Sequence, residues 1–509
     1  MTALEEGRLD TAATHFEEVL RHVPQDLNTL TALARLSMYA EHADAAFDYV
    51  QRAVAALKVM PIAPMLSLMP GRDLLEVTES VKPDAVPAIY AEIQALVQAG
   101  VAAISSVDKA DRLSQVVLSL CEIADDPALM QAYFRKRLPD FTGIALPMII
   151  SPATSVREWC GAKQRFLELD KAEDITVTLG SYARRYASPG FHIGIVPQGE
   201  MVCGWDFAVT PRGEVLFDSS YHLYEPILAG RWFPHKFDDK RHRCFHLWPE
   251  QSDYIDADVV FLSPPPSFAL GHWLCDMLPR LRTRSYPGLE QVKVAIPAEL
   301  PKKHRDLLAL CGVPEADIIE CTLTRRYRFR NLIVAQAGPV ISMPPNNAKY
   351  LASRFGAPPA PGARRRIFLS RTEETRKILN EDEMTARLQS LGFEFMNLAK
   401  TPIAEQQSRL AQADIVIGVY GSDLLACFFM QAGSHLIALD YYGLVDPVTG
   451  ARDSASAGIH CTVLGIHFQV LDCSTLQRDG AVSQKKDRDF AVDCDALAGM
   501  IGDISAGQK

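Results

Sequence analysis

This chain lacks any run of about 18 apolar residues, and its first thirty residues carry Glu5, Glu6, Asp10, Glu17 and Glu18 where a signal peptide is basic and then apolar. Neither a membrane span nor export by that route is expected. It also lacks a CxxC pair and any Cys/His set at zinc spacing, the eleven cysteines being scattered from Cys121 to Cys494. They read as reduced core thiols of a cytosolic protein. Positive charge is in short supply, with 52 Lys and Arg against 62 Asp and Glu and a formal net charge of -10. Since binding a phosphate backbone needs a basic face, nucleic acid is not the expected partner. No G-x-G-x-x-G follows a strand-like run, which places a dinucleotide-dependent enzyme last among the candidates. What is present, 48% hydrophobic and 22% charged residues, suits a globular protein. A length of 509 residues exceeds what one core holds, so two or three domains are expected.

The first sixty residues repeat at a spacing of 34, with Ala12, Phe16 and Val19 followed by Ala46, Val50 and Ala53, and Pro24 after the first set. Small residues let paired helices approach, and an aromatic fills the gap between them. The segment from Gly7 to Phe16 resembles the turn and second helix of a tetratricopeptide repeat. An unrelated amphipathic hairpin is the alternative. One and a half repeats cannot bury a solenoid core, so helical patterns at 84–99 and 109–137 are expected to cap or continue the stack. This gives tetratricopeptide-like helices over 1–60 and a helical extension over 61–150. Such repeats present a surface for a protein partner or an acceptor.

From about residue 190 the texture changes. Phe191–Val196 reads as a strand and Asp206–Phe217 as a hairpin. Strand and helix patterns then alternate: Asp258–Leu262, a helix over 269–281, Val292–Ile296, a helix over 301–310, Asp317–Glu320 and Leu332–Ala335. A proline-rich interruption at 357–362 precedes a second set. There Arg366–Leu369, Phe393–Leu398, Asp414–Val419 and His435–Leu439 alternate with helices over 381–391, 401–413 and 423–431. Thr401 is expected as N-cap with Pro402 in the first turn. Alternation of this kind means parallel strands joined by crossover helices. The expected fold is therefore α/β, with one Rossmann-like domain over 151–345, led by β-hairpins, and a second over 346–509. Two such domains facing a cleft form the arrangement called GT-B, here preceded by the all-α tetratricopeptide-like region.

Three segments carry chemistry: His272-Trp273-Leu274-Cys275-Asp276-Met277-Leu278-Pro279-Arg280-Leu281, then Arg366 to Arg371 followed by Arg376 to Glu383, then Asp414 to Leu424. In this order, from His272 to Leu424, they resemble glycosyltransferase family 61. The third departs from the family's H-G-A-x-L, since Tyr420 stands for the His and Ser422 for the Ala. The resemblance implies inverting transfer of a sugar from a nucleotide-sugar donor, with a UDP-sugar expected, to a hydroxyl of a glycan acceptor. In bacterial relatives the products are often capsular or lipopolysaccharide chains. The acceptor side falls to the first Rossmann-like domain and the donor side to the second. On the donor side it puts Ser370, Arg371, Arg376, Asn380, Tyr420, Gly421 and Ser422.

The chemistry of these residue types fits that role. Breaking the bond to a nucleoside diphosphate leaves negative charge on the phosphates, which cations or oriented backbone donors must meet. Arg371 and Arg376 follow a strand, and a guanidinium forks onto phosphate oxygens. The alternative is a surface pair with Glu373, Glu374 or Glu381. Gly421-Ser422 lies at a strand-to-helix junction, where free N–H groups favour an anion, although a glycine there is also ordinary turn chemistry. The acceptor hydroxyl needs a base. His272 and Asp276 are four apart on a helix and face one direction. Asp423 is the competing base, and a capping role for His272 is the bland reading.

No metal set stands out. Asp256-Ala257-Asp258 has a cation-binding spacing but reads as a loop starting its strand, and an arginine clamp makes a metal dispensable, so no cofactor beyond the donor is expected. The run Arg325-Arg326-Tyr327-Arg328-Phe329-Arg330 suits an anionic acceptor, which includes a lipid-linked one, or peripheral contact with the inner face of the cell membrane. Alternating faces of an edge strand explain it equally. A catalytically inactive scaffold that binds partners through the helical repeats is the competing functional reading.

Overall fold

The computed structural model describes residues 9–57, 70–103, 121–137, 147–161, 163, 165–179, 182–188, 190–219, 235–238, 241–263, 270–336, 343–357, 364–371, 377–441, 445–446, 450–451, 456–473 and 489–507. The chain forms two compact units. One comprises Met1–Ser155, Glu200–Asp253 and Thr324–Tyr327; the other comprises Val156–Gly199, Tyr254–Leu323 and Arg328–Lys509.

In the first unit, helices Leu9–His22, Leu27–Tyr39, Ala43–Leu57, Pro70–Val81, Val86–Ala103 and Pro127–Arg137 follow one another. Asp26 opens the second by accepting from the Thr29 N–H at 2.9 Å, which satisfies an otherwise orphaned donor. Of the repeated positions Ala12, Ala46, Val50 and Ala53 are buried, whereas Val19 is exposed. The expected helix at 84–99 is present; of the one at 109–137 residues 127–137 are helical, and 109–120 lie outside the described residues. Strands of the same unit run in the order Glu200–Val202, Trp205–Val209, Val215–Leu216, Met148–Thr154, Arg243–Leu247, His235–Asp238. The expected hairpin is the antiparallel pair of Trp205–Val209 with Val215–Leu216. Helices and strands share one apolar cluster that includes Ala12, Leu30, Val50, Phe134, Trp205 and Phe245. Among the described residues no helix is long and apolar enough to cross a membrane.

The second unit contains two sheets. In the first the order is Ile318–Cys321, Lys293–Pro297, Ser252–Phe261, Arg326–Gln336, Phe191–Pro197, Phe166–Asp170. The first three strands are parallel; the last three alternate in direction. Two expectations are corrected here. Asp256 and Asp258 lie inside the Ser252–Phe261 strand and do not precede it. Asp258 accepts from Arg330 at 2.9 Å and Asn331 at 2.8 Å, so its carboxylate is already engaged across the sheet. The arginine run opens the Arg326–Gln336 strand, which has a neighbour on each side and is not an edge. Arg325 pairs with Asp253 and Arg326 with Glu200, so these cations are held by this protein's own carboxylates.

The second sheet is all parallel, in the order Phe393–Met396, Arg365–Leu369, Ala413–Val419, His435–Asp440, His467–Asp472. Ile415-Val416-Ile417-Gly418-Val419 is a continuous apolar run because helices cover both faces of such a sheet. Helices Glu381–Ser390 and Cys494–Gly507 supply one cover, through Met384, Leu388, Leu497 and Ile501. Thr401 is not an N-cap: its hydroxyl donates to the Asn397 carbonyl at 2.7 Å, and Pro402 precedes helix Ile403–Leu410. The helix expected over 423–431 is a tighter 3-10 helix, Ser422–Phe429. Residues 358–362 of the proline-rich interruption lie outside the described residues.

Candidate active site

The chain enters the second sheet at Arg365–Leu369, adds Phe393–Met396 on one side, then crosses to Ala413–Val419 on the other. Helices depart to opposite faces at that reversal, which leaves a crevice beyond the carboxyl ends of the two strands. Arg371 and Asp423 stand at this switch point. Arg371 Nε lies 3.6 Å from Asp423 Oδ2, with the arginine side chain 10% and the aspartate 27% exposed. Ser370 continues the strand, its N–H donating to the Met396 carbonyl at 3.0 Å. Tyr420 does the same toward Leu439 at 3.0 Å, and Gly421 leads into the Ser422–Phe429 helix.

From Leu270 to Ser285 the chain is helical throughout but changes pitch twice. An α turn at Leu270–His272 widens into a π turn at Trp273–Met277 and then tightens to 3-10 over Leu278–Ser285. Pro279 in the first 3-10 turn brings no N–H. Arg280, itself buried, supplies a donor instead, its Nε reaching the Asp276 carbonyl at 3.0 Å. Trp273, fully buried, fixes the other side by donating from Nε1 to the His304 carbonyl at 3.1 Å. Wide turns of this kind are frequent at functional sites. Here it carries the four-residue pair: His272 Nδ1 is 2.9 Å from Asp276 Oδ2. An ionised carboxylate only accepts, so Nδ1 is the donor. Asp276 is 2% exposed, which an imidazole partner makes tolerable.

Gly271 joins the two halves of this unit. A Cβ built on it would stand 2.8 Å from Ser422 Cβ and 3.2 Å from Leu425 Cδ1, so only glycine lets the His272 turn lie against the Ser422–Phe429 helix. Beside this contact is a cavity of about 430 Å3. Its wall follows the carboxyl ends of four strands: Gly271 after Phe261, Lys303 after Pro297, Leu398 after Met396, and Ser422 with Asp423 after Val419. Of the residues expected from sequence, Ser422 and Asp423 line it, while His272, Asp276 and Arg371 do not.

Asn380 spends its amide on the Val492 backbone, donating to the carbonyl and accepting from the N–H, both at 2.9 Å, which ties down the C-terminal segment. Arg376 lies outside the described residues. Residues that sequence reasoning missed are Gly271, Arg280, Lys303 and Gln406. A glycine directly before His272 was the available signal for the first. Lys303 Nζ donates to the carbonyls of Leu398 and Ala399, linking helix Lys302–Leu310 to the loop after Phe393–Met396. Among the described residues no group of three or more His, Cys, Asp or Glu side chains is placed to hold a metal ion. All eleven cysteines are buried thiols, none of them in a disulfide.

A comparison with curated proteins finds no match. Residues 270–437, the stretch that holds His272, Asp276, Arg371, Asp423 and the whole cavity wall, match the family model Glycosyltransferase 61, and the match supports that family and a glycosyltransferase activity for this chain.

Proposed function

We propose that this chain is an inverting glycosyltransferase that moves a sugar from a nucleotide-sugar donor, a UDP-sugar, to a hydroxyl of a glycan acceptor, with its two α/β halves arranged as GT-B. In the surface-polysaccharide setting that the family resemblance implies, the acceptor is a growing glycan. In the transfer the acceptor oxygen forms a bond to the anomeric carbon while the bond from that carbon to phosphate oxygen breaks. The hydroxyl proton goes to a base and the nucleoside diphosphate leaves with the bonding electrons. Arg371 meets that charge, and Asp423 beside it holds the guanidinium in place. His272 Nε2 takes the proton, and Asp276 fixes the ring and offsets its positive charge. An arginine at the leaving phosphates does the work for which other sites use a metal.

The observation that supports the reading most is the Arg371–Asp423 pair at the switch point of the all-parallel sheet, inside the matched segment. A thermal-shift panel of nucleotide sugars tests it, because a ligand that binds only the folded state raises the unfolding temperature. One UDP-sugar is expected to raise it, with slow release of UDP on incubation. A flat response to every nucleotide sugar, with no hydrolysis of any, would favour the inactive scaffold.

A further inference from the structure

We infer that the cavity receives an apolar group carried by the acceptor, an alkyl or isoprenyl chain attached to the glycan; the inference rests on the transferase reading above. Leu270, Leu274, Leu307, Ile403, Ala426 and Phe429 form its wall. Three of the polar side chains around them are already committed. Lys303 Nζ is spent on the Leu398 and Ala399 carbonyls. Gln406 Nε2 donates to Leu398 at 2.9 Å and to Thr401 at 2.7 Å. Lys302 pairs with Asp306 at 2.7 Å. A sugar ring or a nucleobase placed among these side chains loses hydrogen bonds to water and finds few in return, which is costly. A hydrocarbon chain loses none, and each methylene removed from water favours binding. Ser422 and Asp423 belong to the same wall, and Asp423 adjoins Arg371. A chain lying in the cavity therefore directs its attached sugar toward the switch point.

Calorimetric titration of the full chain with alkyl β-glucosides from methyl to octyl, each below its micelle concentration, reads this site. Affinity is expected to rise about fourfold per methylene, equivalent to about 0.8 kcal/mol, until the cavity is filled. Ala399→Trp, at an exposed position on the rim, is expected to remove the dependence on chain length while the unfolding midpoint holds. Equal affinity for methyl and octyl glucoside would overturn the inference, as would an undiminished rise in Ala399→Trp. Displacement of octyl glucoside by uridine would assign the cavity to the donor base and overturn it too. UDP titrated into the same protein separates the two claims: if UDP fails to bind while the series still rises, the apolar site stands and the transferase reading falls.

Discussion

Asp276 accepts from His272 Nδ1, and the His272 side chain is 27% exposed, so an acceptor can reach it. His272→Ala is expected to lower transfer by roughly 100-fold to 10,000-fold, the usual worth of a general base. UDP affinity should hold, since the groups proposed to bind it sit on the other sheet. Turnover and UDP binding measured on one purified variant check this, and wild-type turnover would make His272 structural. The His272–Asp276 pair was legible because four residues along a helix bring side chains to one face, a local rule. The bond between Asn380 and Val492 was not legible, because the two are remote in sequence and only the fold brings them together. Thr401 failed for a local reason: its hydroxyl had a carbonyl four residues back to bond, which competes with capping.

At the scale of elements, the close approach of the His272 turn to the Ser422–Phe429 helix depends on Gly271. Gly271→Ala pushes a methyl into Ser422 and is expected to cost about 1 to 3 kcal/mol, the range for overpacking. Adding Ser422→Gly removes the nearest atom and should return part of the loss. Urea unfolding of the two variants measures both values, and an unchanged unfolding free energy for Gly271→Ala would contradict the packing account. Alternating strand and helix patterns disclosed the parallel strands, since apolar runs bounded by turns need only local reading. Strand order was hidden, and with it the interior position of the arginine run. The π turn was hidden too, because Arg280, which supports it, looks like any motif arginine until its reach to the Asp276 carbonyl is seen.

At the scale of the whole molecule, the helices of the first sixty residues share a core with Trp205 and Phe245, so the N-terminal region is no detachable appendage. Each unit also buries a histidine. Burial pushes His246 and His460 down to about 4, the Leu247 backbone opposing slightly for His246. In the unfolded chain each titrates near 6.5. Between about pH 6.5 and 4 the unfolded state binds more protons, so stability falls as pH drops, by up to about 1.4 kcal/mol per pH unit for each histidine. The guanidinium midpoint is expected to be clearly lower at pH 5 than at pH 7.5, and equal midpoints would contradict neutral burial. The second unit places Arg371, only 10% exposed, at the switch point of its all-parallel sheet. Titrating UDP into the wild-type chain and into Arg371→Ala therefore tests the central claim most directly. The account predicts UDP binding that weakens by about 2 to 5 kcal/mol in the variant, as for loss of one member of a desolvated charge pair, with Arg371→Lys restoring only part. Equal affinity of wild type and Arg371→Ala for UDP would contradict it.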